Sequence, residues 1–191
     1  MTQERTGWRL NIERAKIFTR FRMLATSVIA AVFFFQQTVM AETPPQMVIE
    51  PMVTKSGHFL VRDHIVIDLQ SGVEWMRCSV GQQWDGKTCA GEAVALNHDE
   101  IAKAIVIANE QLGPGWRLPN LAELEGLVCE TCAPVKIELD SFPNTMAEPY
   151  WTGEVNSFAS RHIWSVNFMT GHTYGRFFPT QRILVRLVRD R

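Results

Sequence analysis

The chain has 191 residues and a mass of 21.8 kDa, a length that suits one domain and leaves little room for a multidomain enzyme. Hydrophobic residues make up 46% of the chain and charged residues 20%, with a net charge of -1. Such a chain can bury a core and is neither a polyelectrolyte nor a disordered tail. Nucleic acid is excluded as an obvious partner, because phosphate binding needs a concentrated basic surface.

The N-terminal segment has the pattern of an export signal. Residues 1–22 carry six basic and two acidic residues, and the uncharged residues 23–35 follow. Val39 and Ala41 then place small side chains at the positions that a signal peptidase reads. We therefore predict a signal peptide over residues 1–41, with cleavage after Ala41.

Two alternatives to this prediction stay open at the N terminus. The hydrophobic region would span about 20 Å as a helix, which is short for a bilayer core of about 30 Å, so an uncleaved anchor is the less favoured alternative. Met23 would also make an ordinary start, and the choice between Met1 and Met23 as first residue is not decided by the sequence.

Cleavage of the signal peptide changes the net charge of the chain, and export indicates where the mature protein is located. Residues 42–191 keep 13 basic and 18 acidic residues, a net charge of -5. An acidic exported domain favours neutral or cationic ligands over polyanions. We expect a periplasmic or extracellular protein that touches a membrane only through its signal segment during export.

Four cysteines, Cys78, Cys89, Cys129 and Cys132, follow the predicted cleavage site. An even number of cysteines in an exported chain indicates disulfides, and three pairings are possible. We favour Cys78 with Cys89, because the segment between them contains two glycines and is typical of a loop that a bridge would close. On the chain-entropy model that bridge contributes roughly 3 kcal/mol.

The remaining pair, Cys129 and Cys132, has the C-x-x-C spacing of thiol oxidoreductases, in which a helix N terminus lowers one thiol pKa. Here the pair follows the apolar end of a predicted helix, Leu121–Val128, whose negative dipole end disfavours a thiolate. A structural disulfide is therefore favoured. Redox activity and a four-cysteine zinc site remain as alternatives, although the spacing matches common zinc modules poorly.

The first predicted elements are strands. Residues 42–57, with three prolines, are predicted to form an extended leader, and residues 58–191 the domain. His58–Asp68 is rich in β-branched residues and predicts one strand that ends in a turn. Val73–Cys78 is the predicted returning strand of a hairpin.

Two helices follow, each with a capping box. Asn97 and Glu100 begin the first, which places four apolar residues on one face: Ile101, Ile105, Ala108 and Leu112. Asn120 and Glu123 begin the second, shorter helix, whose predicted buried residues are Leu124, Leu127 and Val128.

After Pro134 the pattern predicts short strands and a hairpin turn at Thr170–Gly171. The predicted strands are Tyr150–Gly153, Ile163–Phe168, Tyr174–Phe178 and Ile183–Val188. The order of strands, two helices and strands predicts the α+β class rather than a wound α/β sheet.

Seven phrases occur in a characteristic order along the domain. They are residues 68–78 (DLQSGVEWMRC), WDG at 84–86 with Cys89, GWRLP at 115–119, FPNT at 142–145, YWT at 150–152, WSVNF at 164–168 and VRLVR at 185–189. Together they resemble the Lcl C-terminal domain family over about residues 60–189.

The resemblance implies a fold similar to C-type lectin-like domains, a small twisted antiparallel sheet with two helices, here stapled by disulfides. It also implies binding at or outside the cell surface, with a glycan or an envelope or surface protein as the ligand. The collagen-like adhesin that gives the family its name uses the domain to attach to sugars. This chain lacks any Gly-x-y tract.

The candidate ligand-binding residues are Trp84, Asp85 and Arg117. Trp84 lies beside Asp85 in the glycine-flanked cysteine loop, where its ring is expected to be exposed. The other tryptophans of the domain are expected in the core, because large aromatic side chains are first of all core material: Trp75, Trp116, Trp151 and Trp164. The Arg117 guanidinium could bind a ligand carboxylate or pin backbone carbonyls, and the structural role is favoured.

No metal or cofactor is predicted. The five histidines show no metal-ligand spacing, and Glu148–Pro149 is followed by Tyr150 instead of the asparagine of calcium-dependent lectins. No nucleotide or hydrolase fingerprint occurs. We therefore predict a binding domain that is not an enzyme.

Two other functions remain as alternatives. One is an enzyme on a fold like that of formylglycine-generating enzymes, which need cysteines late in the chain, whereas none follows Cys132 here. The other is a periplasmic thiol-disulfide protein that uses Cys129 and Cys132. The ligand and the oligomeric state are not decided by the sequence.

Overall fold

A computed structural model describes residues 52–54 and 56–191 of the chain. The predicted signal peptide, residues 1–41, and residues 42–51 of the predicted leader lie outside the described residues. The described elements, in chain order, are β1 (Met52–Val53), β2 (Phe59–Arg62), β3 (Ile65–Asp68), β4 (Val73–Met76), β5 (Gln83–Trp84), β6 (Cys89–Ala90), α1 (His98–Leu112), α2 (Leu121–Glu125), β7 (Pro149–Val155), β8 (Ile163–Asn167), β9 (Thr173–Phe177) and β10 (Val188–Asp190).

The strands form three antiparallel sheets in the described part. Five strands pair in the order β1-β2-β3-β4-β10, three in the order β7-β8-β9, and β5 with β6 forms a small hairpin. Along β4 the buried Val73 and Trp75 alternate with half-buried residues, the period of two that a sheet shows when one face meets the core. Antiparallel sheets with few helices confirm the predicted α+β class.

The sheet begins before the predicted domain boundary at residue 58. Val53 of β1 pairs with Leu60 of β2 as an edge strand, inside the segment that the sequence assigns to the leader. The predicted strand His58–Asp68 is wrong in one respect, because Asp63 breaks it into β2 and β3. Asp63 adopts a φ of 52°, a left-handed conformation that aspartate tolerates in tight turns.

The helices begin where the capping boxes predict. The Asn97 side chain accepts from the Glu100 amide at 2.9 Å, and the Glu100 carboxylate accepts from the Asn97 amide at 3.0 Å. Ile101 and Ala108 of α1 are buried as predicted, whereas Leu112 is 42% exposed because it lies in the last turn of the helix.

The segment Ile183–Val188 is fully buried but forms no continuous strand. Its amides and carbonyls bond in turn to five separate places, which are Leu96, Pro149 with Trp151 in β7, Val80, Met76 and Arg117. Only from Val188 does it pair regularly, as β10 with β4. The predicted strand therefore becomes a buried connector between the sheets.

The core holds the aromatic residues that the sequence predicts. Trp75, Trp116 and Trp151 are at most 2% exposed, and Trp164 is half-buried. Disulfides join Cys78 to Cys89 and Cys129 to Cys132, the pairing that the sequence favours. None of the helices in the part that the structure describes is long and apolar enough to cross a bilayer.

Candidate functional site

Trp84 is held in place by the disulfide loop that carries it. Its backbone pairs with Cys89 across the β5–β6 hairpin, and Cys89 is bonded to Cys78 directly after β4. The Arg77 guanidinium carbon lies 3.8 Å from the centroid of the indole ring. A cation stacked on one face of the ring and a covalent bridge behind its hairpin leave the Trp84 side chain little freedom.

The turn between β2 and β3 contacts the same indole. The Nδ1 atom of His64 lies 3.0 Å from the Asp63 carboxylate. This hydrogen bond, together with a smaller contribution from the Trp84 indole N–H, holds the pKa of Asp63 below its ordinary value. The Asp63 carboxylate is therefore an ionised acceptor beside the ring at neutral pH.

Trp84 lines an open cleft of about 750 Å³, which we call the Trp84 cleft. Helix α1 supplies much of the remaining lining, and the turn of Asp63 and His64 also reaches it. The cleft lining includes the polar side chains of Gln83 and Gln111 and the apolar side chains of Met76, Ile107 and Leu112. The volume lies within the range of small-molecule binding sites.

The chemistry of the Trp84 cleft is that of an amphipathic ligand site. The side-chain amides of Gln83 and Gln111 make no hydrogen bond to another described residue, so the donors and the acceptor of each are available to a ligand. Ile107 is 50% exposed in spite of its apolar side chain. The cleft can therefore take a molecule with hydroxyl or amide groups on one side and an apolar face on the other.

Asp85 shapes the hairpin rather than lining the cleft. Its Oδ1 atom accepts from the Lys87 and Thr88 amides, both at 2.8 Å. These two hydrogen bonds, the one from Thr88 first, lower the pKa of the Asp85 carboxyl. Asp85 thus fixes the turn that follows Trp84.

Arg117 lies in a different cluster from Trp84. It donates to both oxygens of Glu123 at 2.8 and 2.9 Å and to Asp190 at 2.5 Å. The hydrogen bonds to Glu123 are the first cause of the raised pKa of Arg117. Arg117 joins α2 to β10 and is not among the residues that line the Trp84 cleft.

Arg186, for which the sequence predicts no role, supports the cleft from inside the core. Its side chain is fully buried and donates to the carbonyls of Met76 and Arg77 and to the hydroxyls of Ser79 and Thr145. Burial lowers its pKa to about 10. In the sequence, Arg186 lies between Val185 and Leu187 in an otherwise apolar segment. This position was the one signal that its charged side chain is buried and has a structural role.

A second cavity, of about 530 Å³, lies beside the Cys129–Cys132 disulfide. Its lining includes three carboxylates, Glu130, Glu138 and Asp140. Negative charge around a sulfur disfavours a thiolate, and the disulfide follows the C-terminal end of α2, which acts in the same direction. Among the described residues no group of three or more metal-binding side chains is found.

Comparison with known proteins identifies a family over most of the domain. The model of the Lcl C-terminal domain matches residues 64–189. No curated protein matches the chain. No solved structure matches it either. The matched segment contains Trp84, Arg117 and both disulfides, whereas Asp63 of the cleft and Asp190 of the Arg117 cluster lie just outside it.

Proposed function

The chain belongs to the Lcl C-terminal domain family, and from this premise we propose that it is an exported binding module, not an enzyme, which holds a glycan in the Trp84 cleft. We propose further that its fold is of the C-type lectin-like kind. The observation that carries the proposal is the indole, with Arg77 stacked on one face, beside the side-chain amides of Gln83 and Gln111 in an open cleft.

An indole, amides and a carboxylate suit the two sides of a sugar ring. The apolar C–H face of a pyranose packs on an aromatic face, and a preorganised ring loses little entropy when the sugar binds. The hydroxyl groups need short-range donors and acceptors, which Gln83, Gln111 and Asp63 supply. The domain's net charge of -5 over residues 42–191 favours neutral sugars over polyanionic ones.

An envelope protein is the second candidate ligand, and exposed apolar side chains of α1 at the cleft favour it. Val106, Ile107 and Leu112 are 56%, 50% and 42% exposed, which is a considerable apolar surface for one helix. Two of these three residues line the Trp84 cleft. A protein partner would cover Ile107 and Leu112 together with the indole.

The test is a titration of the exported protein against a panel of neutral and anionic oligosaccharides and of envelope proteins. Trp84→Ala should lower the affinity for the bound ligand about tenfold, because stacking on the ring and burial of its surface together contribute about 1–2 kcal/mol. Trp84→Phe should retain part of the affinity, since an aromatic face remains. Lys87→Ala is the matched control, because Lys87 is exposed on the same hairpin outside the cleft.

Two results would count against the proposal. A folded sample that binds nothing in the panel removes its main support. Equal losses of affinity in Trp84→Ala and Lys87→Ala would place the ligand elsewhere. Binding of an envelope protein alone, with the same dependence on Trp84, would favour the second candidate.

The proposed location rests on the sulfur chemistry. Two closed disulfides and no free cysteine among the described residues indicate an oxidising compartment outside the cytoplasm. We place the protein in the periplasm or outside the cell, after cleavage near Ala41. A thiol-disulfide role for Cys129 and Cys132 is the remaining alternative, and the carboxylates beside that disulfide disfavour it.

A further inference from the structure

A group of exposed apolar side chains lies at one end of the β7-β8-β9 sheet. At this end β7 stops at Val155 and β9 at Phe177, and both residues pair with Ile163 at the start of β8. The connecting loop and the residue after β9 add two exposed phenylalanines. Val155 is 50% exposed, Phe158 94% and Phe178 47%.

Phe158 lies in a loop whose conformation is fixed by hydrogen bonds. The buried Asn156 side chain accepts from the Phe158 amide at 2.9 Å and donates to the Gly175 carbonyl at 2.8 Å. Within the loop the Ala159 amide bonds to the Asn156 carbonyl at 3.0 Å, and the His162 amide bonds to the Ala159 carbonyl at 2.8 Å. The loop is therefore anchored to β9 and presents an aromatic side chain to solvent, which is unfavourable unless a partner covers it.

Two arginines accompany these apolar groups. Arg161 lies in the same loop and Arg176 directly before Phe177, and both are exposed. Neither forms an ion pair within the part of the chain that the structure describes. The nearest carboxylate in sequence, Glu154, accepts instead from the Leu121 amide of α2 at 3.1 Å. We call Val155, Phe158, Arg161, Arg176 and Phe178 the Phe158 tip.

We propose that the Phe158 tip docks on the surface of an anionic lipid bilayer. Phenylalanine gains free energy when it enters the boundary between head groups and acyl chains, and arginines bind the phosphates around it. Positive charge on the tip of a domain that is otherwise acidic is complementary to such a surface. The tip residues line neither of the two cavities described above, and a bilayer surface requires no pocket.

This inference goes beyond the proposed function, because the Phe158 tip and the Trp84 cleft share no residue. The sequence alone predicts membrane contact only through the signal segment during export. The Phe158 tip adds a second membrane contact, in the folded domain. The cleft would then bind its ligand next to a membrane that the tip holds.

The test is sedimentation with vesicles of phosphatidylcholine alone and of phosphatidylcholine with phosphatidylglycerol. It uses the exported protein, with its N terminus read by mass spectrometry so that all variants carry the same one. Wild-type protein should bind the anionic vesicles and lose binding as salt rises. Phe158→Ala should lower the partition coefficient about tenfold, and Arg161→Gln about fivefold.

Met169→Ala is the matched control. Met169 is 57% exposed after β8, at the opposite end of the same sheet. Because Phe158 is almost fully exposed, its truncation should leave the melting temperature unchanged, so loss of binding cannot be due to unfolding. Equal binding to neutral and anionic vesicles, no binding, or equal effects of Phe158→Ala and Met169→Ala would overturn the proposal. A photo-crosslinker at position 158 that captures a protein instead of lipid would also overturn it.

Discussion

Arg186 is a charged side chain at the centre of the domain, and its partners are oxygens without formal charge. Two backbone carbonyls and two hydroxyls accept from it, and the Phe142 ring lies 4.8 Å from its guanidinium carbon. Although burial lowers its pKa to about 10, the group remains charged at neutral pH. Arg186 thereby ties the end of β4, which leads into Cys78 and the Trp84 loop, to the buried connector.

Replacing Arg186 with methionine should destabilise the domain strongly. Arg186→Met leaves the Met76 and Arg77 carbonyls without a donor inside the core, and such losses cost about 3 kcal/mol in total. Urea denaturation measures the effect. Arg176→Met, at an exposed arginine, is the control and should change the free energy of unfolding by less than about 0.5 kcal/mol. Equal stabilities of the two variants would show that Arg186 does not organise the core.

The ion pair of Arg117 with Glu123 should make the free energy of unfolding depend on pH in the acidic range. The hydrogen bond from Arg117 is the first cause that lowers the pKa of Glu123 below its ordinary value of 4.5. The ionised carboxylate therefore stabilises the fold above about pH 4.5, and this contribution is lost as the pH falls through the lowered pKa.

Glu123→Gln should accordingly lower the free energy of unfolding at pH 7 by about 1 kcal/mol. The difference from wild type should shrink as the pH falls below 4.5. Denaturation curves at pH 7, 5 and about 3 measure this. Glu110→Gln, on the exposed surface of α1, should show no such pH dependence. A constant difference at all pH values would mean that the charge of Glu123 does not matter.

At the scale of elements, the two disulfides close segments of different length. Cys78 and Cys89 are 11 residues apart and enclose the β5–β6 hairpin, whereas Cys129 and Cys132 are 3 apart. The longer segment loses more chain entropy when it is closed. Only the first disulfide includes the residue that pairs with Trp84, which is Cys89. The two disulfides should therefore differ in their effect on ligand affinity as well as on stability.

The variant Cys78→Ser with Cys89→Ser should lose about 3 kcal/mol of stability, and Cys129→Ser with Cys132→Ser about 2 kcal/mol. Urea denaturation without reductant compares the two. Ligand affinity should fall in the first variant, because the indole is released, and should stay at the wild-type level in the second. Loss of ligand binding in the second variant alone would point to the cavity beside Cys129 instead.

Secondary-structure elements that local sequence determines were predictable. Elements whose hydrogen-bond partners lie far away in the sequence were not. Each capping box is complete within four residues, so Asn97 and Asn120 predict the starts of their helices from the local sequence alone. The connector Ile183–Val188 has the composition of a strand, but its bonding partners are scattered over the chain. The break at Asp63 depends on one backbone conformation that its neighbours do not reveal.

The candidate site was predictable to the same extent. A tryptophan between two cysteines and two glycines indicated the Trp84 loop, which the structure places at a cleft. Arg77 precedes Cys78 directly, but nothing in the sequence indicates its contact with the indole, which depends on how the disulfide loop folds. The contribution of α1 and the separation of Arg117 from Trp84 depend on tertiary packing and left no local signal.

At the scale of the whole molecule, we propose an exported domain that binds a ligand and is not an enzyme. The protein isolated from cells should then begin at Glu42 and contain no free thiol. Intact-mass spectrometry with and without a thiol-alkylating reagent measures both properties. A protein that keeps residues 1–41 and takes up four alkyl groups would contradict the predicted export and the oxidising compartment.

We propose that the ligand lies against Trp84, and indole nuclear magnetic resonance tests this contact most directly. The domain has five tryptophans after Ala41, of which Trp75, Trp116 and Trp151 are buried. As the oligosaccharide retained from the panel is added to ¹⁵N-labelled exported protein, the Trp84 indole N–H signal should shift while the buried three stay in place. Saturable binding that leaves the Trp84 signal unmoved would contradict the account.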